Sequence, residues 1–336
     1  MRVLEISRDP LFKSVYPQLT SWLQIGPYLE PYNEYTRLPE LTRCKVAPAI
    51  IGLLFRRYDL IIFPAVRKRH PGDKLSPRKA RIRYLLTYIA SQPTTGRIIA
   101  LLLGLEGIPH IIRDVVDDTD LAEVSLSLLP NATLYAKREV LEEQLGKRVD
   151  RRSKYGKGPL LMYLPMAFQT EEYLSVPKGE KKSDVFFAGQ MNSPQREQAL
   201  ETLGELHCEK LRIDLPKERI PFRDYLRRMS EAWLVVSPRG YGEHCYRHYE
   251  ALLMGSVPVI NTPEQSVYYD LKHEKSCLFY EPTPEGLKNC IRTALADKEK
   301  LEKIAETGAD LVKTVHDKKA ICAALLSKVQ VLDSYR

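Results

Sequence analysis

Arg239, Arg247 and Glu250 lie in the stretch "SPRGYGEHCYRHYEALLMGSVPVI" (237–260), where residue types and spacing point to a charged ligand. Gly240 and Gly242 follow an apolar run and let the backbone come close to a ligand. The helix that starts after them offers unpaired N–H groups and the positive end of its dipole. With Arg239 beside it, such a turn is a place for a phosphate. Arg247 and Glu250 are three apart and share one helix face. A guanidinium there can fork onto a diphosphate, and a carboxylate one turn on can accept both hydroxyls of a ribose. An Arg247–Glu250 pair on a solvated face is the competing reading, and the apolar remainder "YEALLMG" speaks against it. The turn is not a Walker A loop, which needs Lys followed by Ser or Thr. Nor is it GxGxxG after a first strand, so neither an ATPase nor a simple dehydrogenase is indicated.

A second cluster is "IPHIIRDVVDDTD" (108–120), with Asp114, Asp117, Asp118 and Asp120 at the end of an apolar run. Asp117 and Asp118 are candidates for a general base that deprotonates a hydroxyl. Four acids after a strand are also what a capped helix start looks like. His70, in "RKRHPGD", is another base candidate, although lone loop histidines are usually solvated.

Short apolar runs alternating with longer amphipathic ones must position these residues, the rhythm of βαβ units around parallel sheets. Strands are predicted at 2–7, 59–65, 109–115 and 132–136, with helices at 11–24, 45–57, 77–90, 95–106 and 137–145. A Gly/Pro-punctuated stretch from 155 to 184 holds a short strand at 160–164. The pattern then restarts, with strands at 184–190, 211–215, 233–238, 257–260 and 276–280. Helices alternate with them at 193–206, 221–232, 244–255 and 284–296, and one long helix over about 298–331 closes the chain. The expected architecture is α/β, with two Rossmann-like domains facing a cleft. Their bounds are 1–165 and 184–310, joined by a linker at 166–183. A C-terminal helix, 311–336, packs back toward the first domain. Ligands of such sheets bind at the carboxyl ends of the strands.

The 336 residues are 44% hydrophobic and 28% charged, the composition of a soluble globular protein. There is no apolar run long enough to span a membrane. The first residues read as a strand rather than a signal peptide. Cys44, Cys208, Cys245, Cys277, Cys290 and Cys322 are scattered without a CxxC pair, which suits a reducing, cytoplasmic setting and argues against a zinc site. The net charge of +8 is uneven: residues 1–157 carry 26 Lys/Arg against 17 Asp/Glu. Ten of these basic residues fall between Arg56 and Arg83. Such a segment is either a solvated face or a contact for an anionic membrane surface. No helix-turn-helix, RRM or zinc-finger pattern accompanies it, so no nucleic-acid partner is expected.

The 237–260 stretch resembles the nucleotide-sugar site of GT-B glycosyltransferases, most closely the exostosin-like group. There a Pro-Arg-Gly turn precedes an Arg-x-x-Glu helix that runs into Gly-x-x-Pro-Val. "ATLYAKREVL", "YLPMAF" and "DVFFAGQMNSPQREQALETL" are similar to successive segments of related bacterial enzymes, so the resemblance covers roughly 130–300. It implies glycosyl transfer from a nucleotide-diphosphate sugar to a glycan, lipid-linked or glycoconjugate acceptor, as in polysaccharide biosynthesis. Arg239 and Arg247 would meet the diphosphate and Glu250 the ribose. Gly189, Gln190 and Arg196 would border the same site, and Gly240, Tyr241, Gly242, Glu243 and His244 would face the sugar or its pyrophosphate. His244 is thereby a catalytic candidate beside Asp117 and Asp118. With arginines and a helix terminus neutralising the leaving group, no cofactor and no metal is expected. Asp118-Thr-Asp120 does spell the D-x-D metal motif of the other main glycosyltransferase fold, but the two-domain layout opposes that reading. Two departures stand out. Glu243 and Glu250 are seven apart where retaining GT-B enzymes often have eight, and Cys245 stands where serine is usual. The alternatives are another enzyme of this fold, such as a nucleotide-sugar epimerase or a phosphorylase, and a non-catalytic nucleotide-sugar-binding scaffold.

Overall fold

The computed structural model describes residues 1–24, 46–65, 107–122, 125–126, 129, 132–149, 158–206, 211–263 and 266–333. The expected helices at 77–90 and 95–106, His70 and most of the basic segment 56–83 lie outside them. The described residues gather into two compact units. One holds the chain up to Leu164 together with the residues from Cys322 on, and the other is Pro165–Ile321.

The described residues of the first unit form six parallel strands: β1 (Val3–Ser7), β2 (Thr20–Gln24), β3 (Leu60–Pro64), β4 (His110–Asp114), β5 (Leu134–Lys137) and β6 (Leu160–Tyr163), in the order β2-β1-β3-β4-β5-β6. Among the described residues two helices precede β3, α1 (Phe12–Val15) and α2 (Val46–Leu54). The expected helix at 11–24 is therefore one helical turn followed by a strand. Pro17 cannot continue a helix from α1, and Thr20 and Trp22 alternate inward as β2 pairs with β1 from Val3↔Thr20 to Ser7↔Gln24. The expected helix at 137–145 is only a 3₁₀ turn at Glu142–Gln144. Its continuation is drawn against β6, with Gly146 N–H donating to Leu161 O and Leu161 N–H to Lys147 O.

The second unit has five parallel strands: β7 (Ser183–Phe186), β8 (Ile213–Asp214), β9 (Ala232–Val236), β10 (Val257–Asn261) and β11 (Leu278–Tyr280), in the order β11-β10-β9-β7-β8. β7 stops at Phe186, earlier than its apolar run. Its described helices are α3 (Thr170–Leu174), α4 (Pro194–Leu206), α5 (Phe222–Ser230), α6 (Tyr246–Leu253), α7 (Pro284–Leu295) and α8 (Lys298–Leu311), while α9 (Lys318–Asp333) begins in it and belongs to the first unit from Cys322 on. Apolar side chains on both faces of the sheet make two cores, which is why these strands read as continuous hydrophobic runs. Two Rossmann-like sheets result, each reversing its strand order between its first and third strands.

The stretch 166–183, expected as a linker, carries α3 and buries Met166, Phe168 and Tyr173 in the core of the second unit. It also breaks the long helix expected at 298–331. Phe168 N–H donates to His316 O and Lys318 N–H donates to Phe168 O, each at 2.8 Å. Residues Val312–His316 loosen into a π turn, and Asp317 is extended. His316 at that break is fully buried, with Nε2 2.6 Å from Asp270 Oδ2 and Nδ1 3.2 Å from Met166 O. One ring nitrogen thus meets a carboxylate and the other a main-chain carbonyl.

Burial pushes the Asp270 carboxyl up, but hydrogen bonds from His316 and Tyr249 and the charges of His316 and His244 outweigh it, holding it below 3.8. A carboxyl depressed in the folded state stabilises above its unfolded value and loses that contribution as pH falls through the folded one. Asp270→Asn should therefore cost about 3 kcal/mol at neutral pH, read by urea denaturation. The gap between variant and wild type should close as pH drops below about 4. A variant as stable as the wild type at pH 7 would remove this pair from the account of the fold.

Candidate functional site

β7 and β9 are the neighbours at which the second sheet reverses its strand order. Their carboxyl ends run into Gly189–Gln190 and into the turn 237–245, so the suspected residues converge on the switch point of that sheet. The turn is fixed from beneath. His248 is fully buried, its Nδ1 2.7 Å from Ser237 Oγ and its Nε2 3.1 Å from Glu243 O. Burial, with the nearby charges of His244, Arg247 and Arg196, lowers its pKa to about 3 against the Glu243 carbonyl that supports the charged form. A neutral ring then donates from Nε2 to Glu243 O and accepts the Ser237 hydroxyl. Tyr269 also donates to Glu243 O at 2.6 Å, and Arg239 N–H donates to Asn261 Oδ1 at 2.8 Å.

Arg247 is 7% exposed on the first turn of α6. Its guanidinium lies 5.3 Å from the centre of the Phe187 ring. A Cβ built on Gly189 would fall 1.8 Å from Nη2, so only glycine leaves room there. Nε and Nη1 are buried and have no hydrogen-bond partner, and the guanidinium's one side-chain hydrogen bond goes to the Tyr225 hydroxyl. Among the described residues no carboxylate lies within ion-pair distance of Arg247, so the Arg247–Glu250 pair is not formed. Arginine keeps its charge in proteins, and a buried cation with unsatisfied donors costs several kcal/mol. The site thus holds a positive charge without the anion that would offset it.

Glu250, 8% exposed, is held differently. Tyr225 donates to its Oε2 at 3.0 Å and Tyr173 to its Oε1 at 3.4 Å. Burial raises its pKa, opposed by the Tyr225 hydrogen bond and the Arg247 charge. Tyr173, Tyr225 and Phe187 carry no local signature, and only the fold brings them to the Arg247–Glu250 face.

The other expected residues divide into those committed to structure and those open to a ligand. Arg196 reaches Gln190 O (Nη1, 2.9 Å), Pro238 O (Nε, 3.5 Å) and Cys245 Sγ (Nη2, 3.5 Å), which clamps the two loops together. A Cβ on Gly240 would meet its Nη2 at 2.7 Å. Arg239 pairs with Glu243 at 2.9 Å, while Glu243 Oε2 is buried without a partner. His244 has Nδ1 3.0 Å from Tyr249 Oη and Nε2 3.0 Å from Tyr268 O, and it stacks on Tyr269 at 4.3 Å. Both its nitrogens are taken. Tyr241 is 78% exposed, and Gly189 and Gln190 are exposed as well. Cys245 caps α6 without a side-chain hydrogen bond to the helix, and burial raises its pKa in spite of Arg196 and Arg247.

In the first unit, Asp114 is fully buried, accepting Tyr135 Oη at 2.6 Å and Lys137 Nζ at 3.2 Å. Asp117 and Asp118 lie at the same strand end, 40% and 42% exposed. Asp117 is 3.2 Å from Arg138 and Asp118 is 3.6 Å from Lys137. Asp118 Oδ1 accepts the Asp120 N–H. Among the described residues no group of three or more His, Cys, Asp or Glu could hold a metal ion.

Residues 207–278, spanning the turn and helix, match the family model of the RXYLT1 C-terminal domain. Solved structures align over nearly the full length of the chain. The N-terminal domain of Candida albicans trehalose-6-phosphate phosphatase aligns with a TM-score of 0.58 at 10% identity, covering 98% of this chain and 97% of that one. HepE from Anabaena, solved with UDP, gives 0.55 at 14% identity over 98% and 100%. Sucrose-phosphate synthase from Thermosynechococcus elongatus gives 0.52 at 14% identity over 100% of both chains. The chain has the GT-B fold. At these identities the structural likeness speaks for fold alone. The RXYLT1 match carries the exostosin-like resemblance across the Pro-Arg-Gly turn and Arg-x-x-Glu helix of this GT-B chain. No curated protein sequence matches it significantly.

A guanidinium without a carboxylate partner makes a prediction that needs no ligand. Arg247→Met keeps an unbranched side chain over Phe187 and removes the uncompensated charge. It should stabilise the ligand-free protein by about 1 kcal/mol, or ~2–4 °C in Tm. A lower Tm by calorimetry would mean that Arg247 is a structural residue with partners of its own.

Proposed function

We propose that the protein is a glycosyltransferase that takes a sugar from a nucleotide-diphosphate donor held by its second unit. The buried guanidinium of Arg247, with Nε and Nη1 lacking hydrogen-bond partners, carries this reading. Oxygens of a diphosphate would complete Nε and Nη1, with the nearby N–H groups that open α6 adding donors and dipole. Glu250, oriented by Tyr173 and Tyr225, accepts the ribose hydroxyls. Arg239 shares its charge between Glu243 and the diphosphate, and Glu243 Oε2 accepts from the sugar. Arg196, His248 and His244 hold the loops in place. With two buried guanidiniums beside the leaving diphosphate, charge neutralisation needs no metal.

The match to the RXYLT1 C-terminal domain and the UDP and UDP-glucose complexes of HepE support this assignment. The acceptor is a glycan, a lipid-linked sugar or another glycoconjugate. Asp117 and Asp118 are the proposed base residues, since they lie half exposed at a strand end while Asp114 is locked to Tyr135 and Lys137.

A thermal-shift screen of UDP-, GDP-, CMP- and dTDP-sugars should give one class that raises Tm, because a ligand of the folded state alone stabilises it. Arg247→Ala and Glu250→Ala should abolish that shift. Gly189→Ala should also abolish it while leaving the ligand-free Tm within about 2 °C, since its Cβ displaces a flexible guanidinium tip rather than backbone. Turnover of the same donor should be unchanged in EDTA. Binding without any transfer or hydrolysis would favour a scaffold, and donor isomerised without an acceptor would favour an epimerase.

A further inference from the structure

Helix α2 turns its apolar side outward. Ala49 and Leu53 are buried beneath it, and Gly52 is packed against Tyr58. Ile50, Ile51, Leu54 and Phe55 are 39%, 48%, 56% and 71% exposed. At one residue per 100° these four lie along one side of the helix. Single exposed apolar residues are ordinary in soluble proteins, whereas a contiguous apolar face marks a contact surface.

The helix end sets cations against that face. Arg57 N–H donates to Gly52 O at 2.8 Å and Arg56 N–H to Leu53 O at 2.9 Å, the two bonds of a Schellman cap. Arg56 occupies the left-handed position of that cap, φ +47°, where glycine is the unstrained choice. Both arginines are exposed, and the Arg57 guanidinium lies 5.7 Å from the Phe55 ring. No Asp or Glu occurs from residue 46 to 58, and the two arginines begin the ten basic residues of 56–83.

We propose that α2 docks the protein on an anionic lipid surface. Ile50, Ile51, Leu54 and Phe55 enter the boundary between headgroups and acyl chains, and Arg56 and Arg57 meet the lipid phosphates. The charge pattern selects this occupant. Two exposed arginines border the apolar face and no acid lies between residues 46 and 58, a match to lipid phosphates. Among the described residues no helix is long and apolar enough to cross a membrane, so contact through α2 is interfacial. One short helix gives weak, reversible attachment that combines apolar burial with charge. The inference does not depend on the donor site.

Co-sedimentation of the full chain with vesicles of equal parts phosphatidylcholine and phosphatidylglycerol tests it. The wild type should partition onto these vesicles more strongly than onto pure phosphatidylcholine. Leu54→Ser/Phe55→Ser should weaken partition by ~tenfold or more. Arg56→Gln/Arg57→Gln should weaken it by ~fivefold per charge, on anionic vesicles only. Circular dichroism and the donor thermal shift should be unchanged in both variants, which separates this test from that of the transferase reading. No partition by the wild type, or equal partition by the Ser variant, would overturn the proposal. So would a wild-type dimer in gel filtration that the Ser variant converts to monomer.

Discussion

A guanidinium enclosed without its counter-ion is the constraint around which the second unit is arranged. Arg247 is carried on a helix whose other residues are almost all core, so α6 cannot turn to bring the charge into water. Phe187 covers one face, and the room at Gly189 lets the fork lie against backbone. Arg196 is buried nearby and spends its donors on Gln190, Pro238 and Cys245 rather than on a carboxylate. Two cations in a region of low dielectric create a potential that the neutral His248 does not relieve and that Glu250 opposes only at a distance. Such an arrangement persists where function needs it, because packing alone would favour an apolar residue at position 247.

Rigidity around that charge comes from polar groups which themselves are fully partnered. His244 Nδ1 meets the Tyr249 hydroxyl, Tyr249 donates to Asp270, and His316 Nε2 meets the other oxygen of Asp270. This chain ties α6 to the break between α8 and α9 and to the backbone of Met166. Such a network specifies one arrangement because leaving any member unpaired in the interior is costly. The loop beside it can then present Glu243 and Tyr241 without moving.

Much of the fold was legible because parallel strands buried on both faces leave unmistakable apolar runs, as at Leu60–Pro64, Ala232–Val236 and Val257–Asn261. Thr20–Gln24 was not, since its alternation is short and follows the start of a helix. The break at Val312–His316 was hidden because its cause, the main chain of Phe168, lies far away in sequence. The same distinction holds in the site. Arg247, Glu250 and Gly189 could be read from spacing and resemblance, whereas Tyr173 and Tyr225 are supplied by separate helices. Roles shifted where burial decided them: Arg196 and His244 have the residue types of ligand contacts, yet their hydrogen bonds are already formed.

The central claim is that Arg247 is kept uncompensated for a diphosphate. Calorimetric titration of the cognate nucleoside diphosphate and monophosphate into wild type and Arg247→Met tests it most directly. The account predicts that the diphosphate binds the wild type about tenfold or more tighter than the monophosphate, and that the variant loses this preference. Equal affinities for the two nucleotides in the wild type, or an undiminished preference in Arg247→Met, would contradict it.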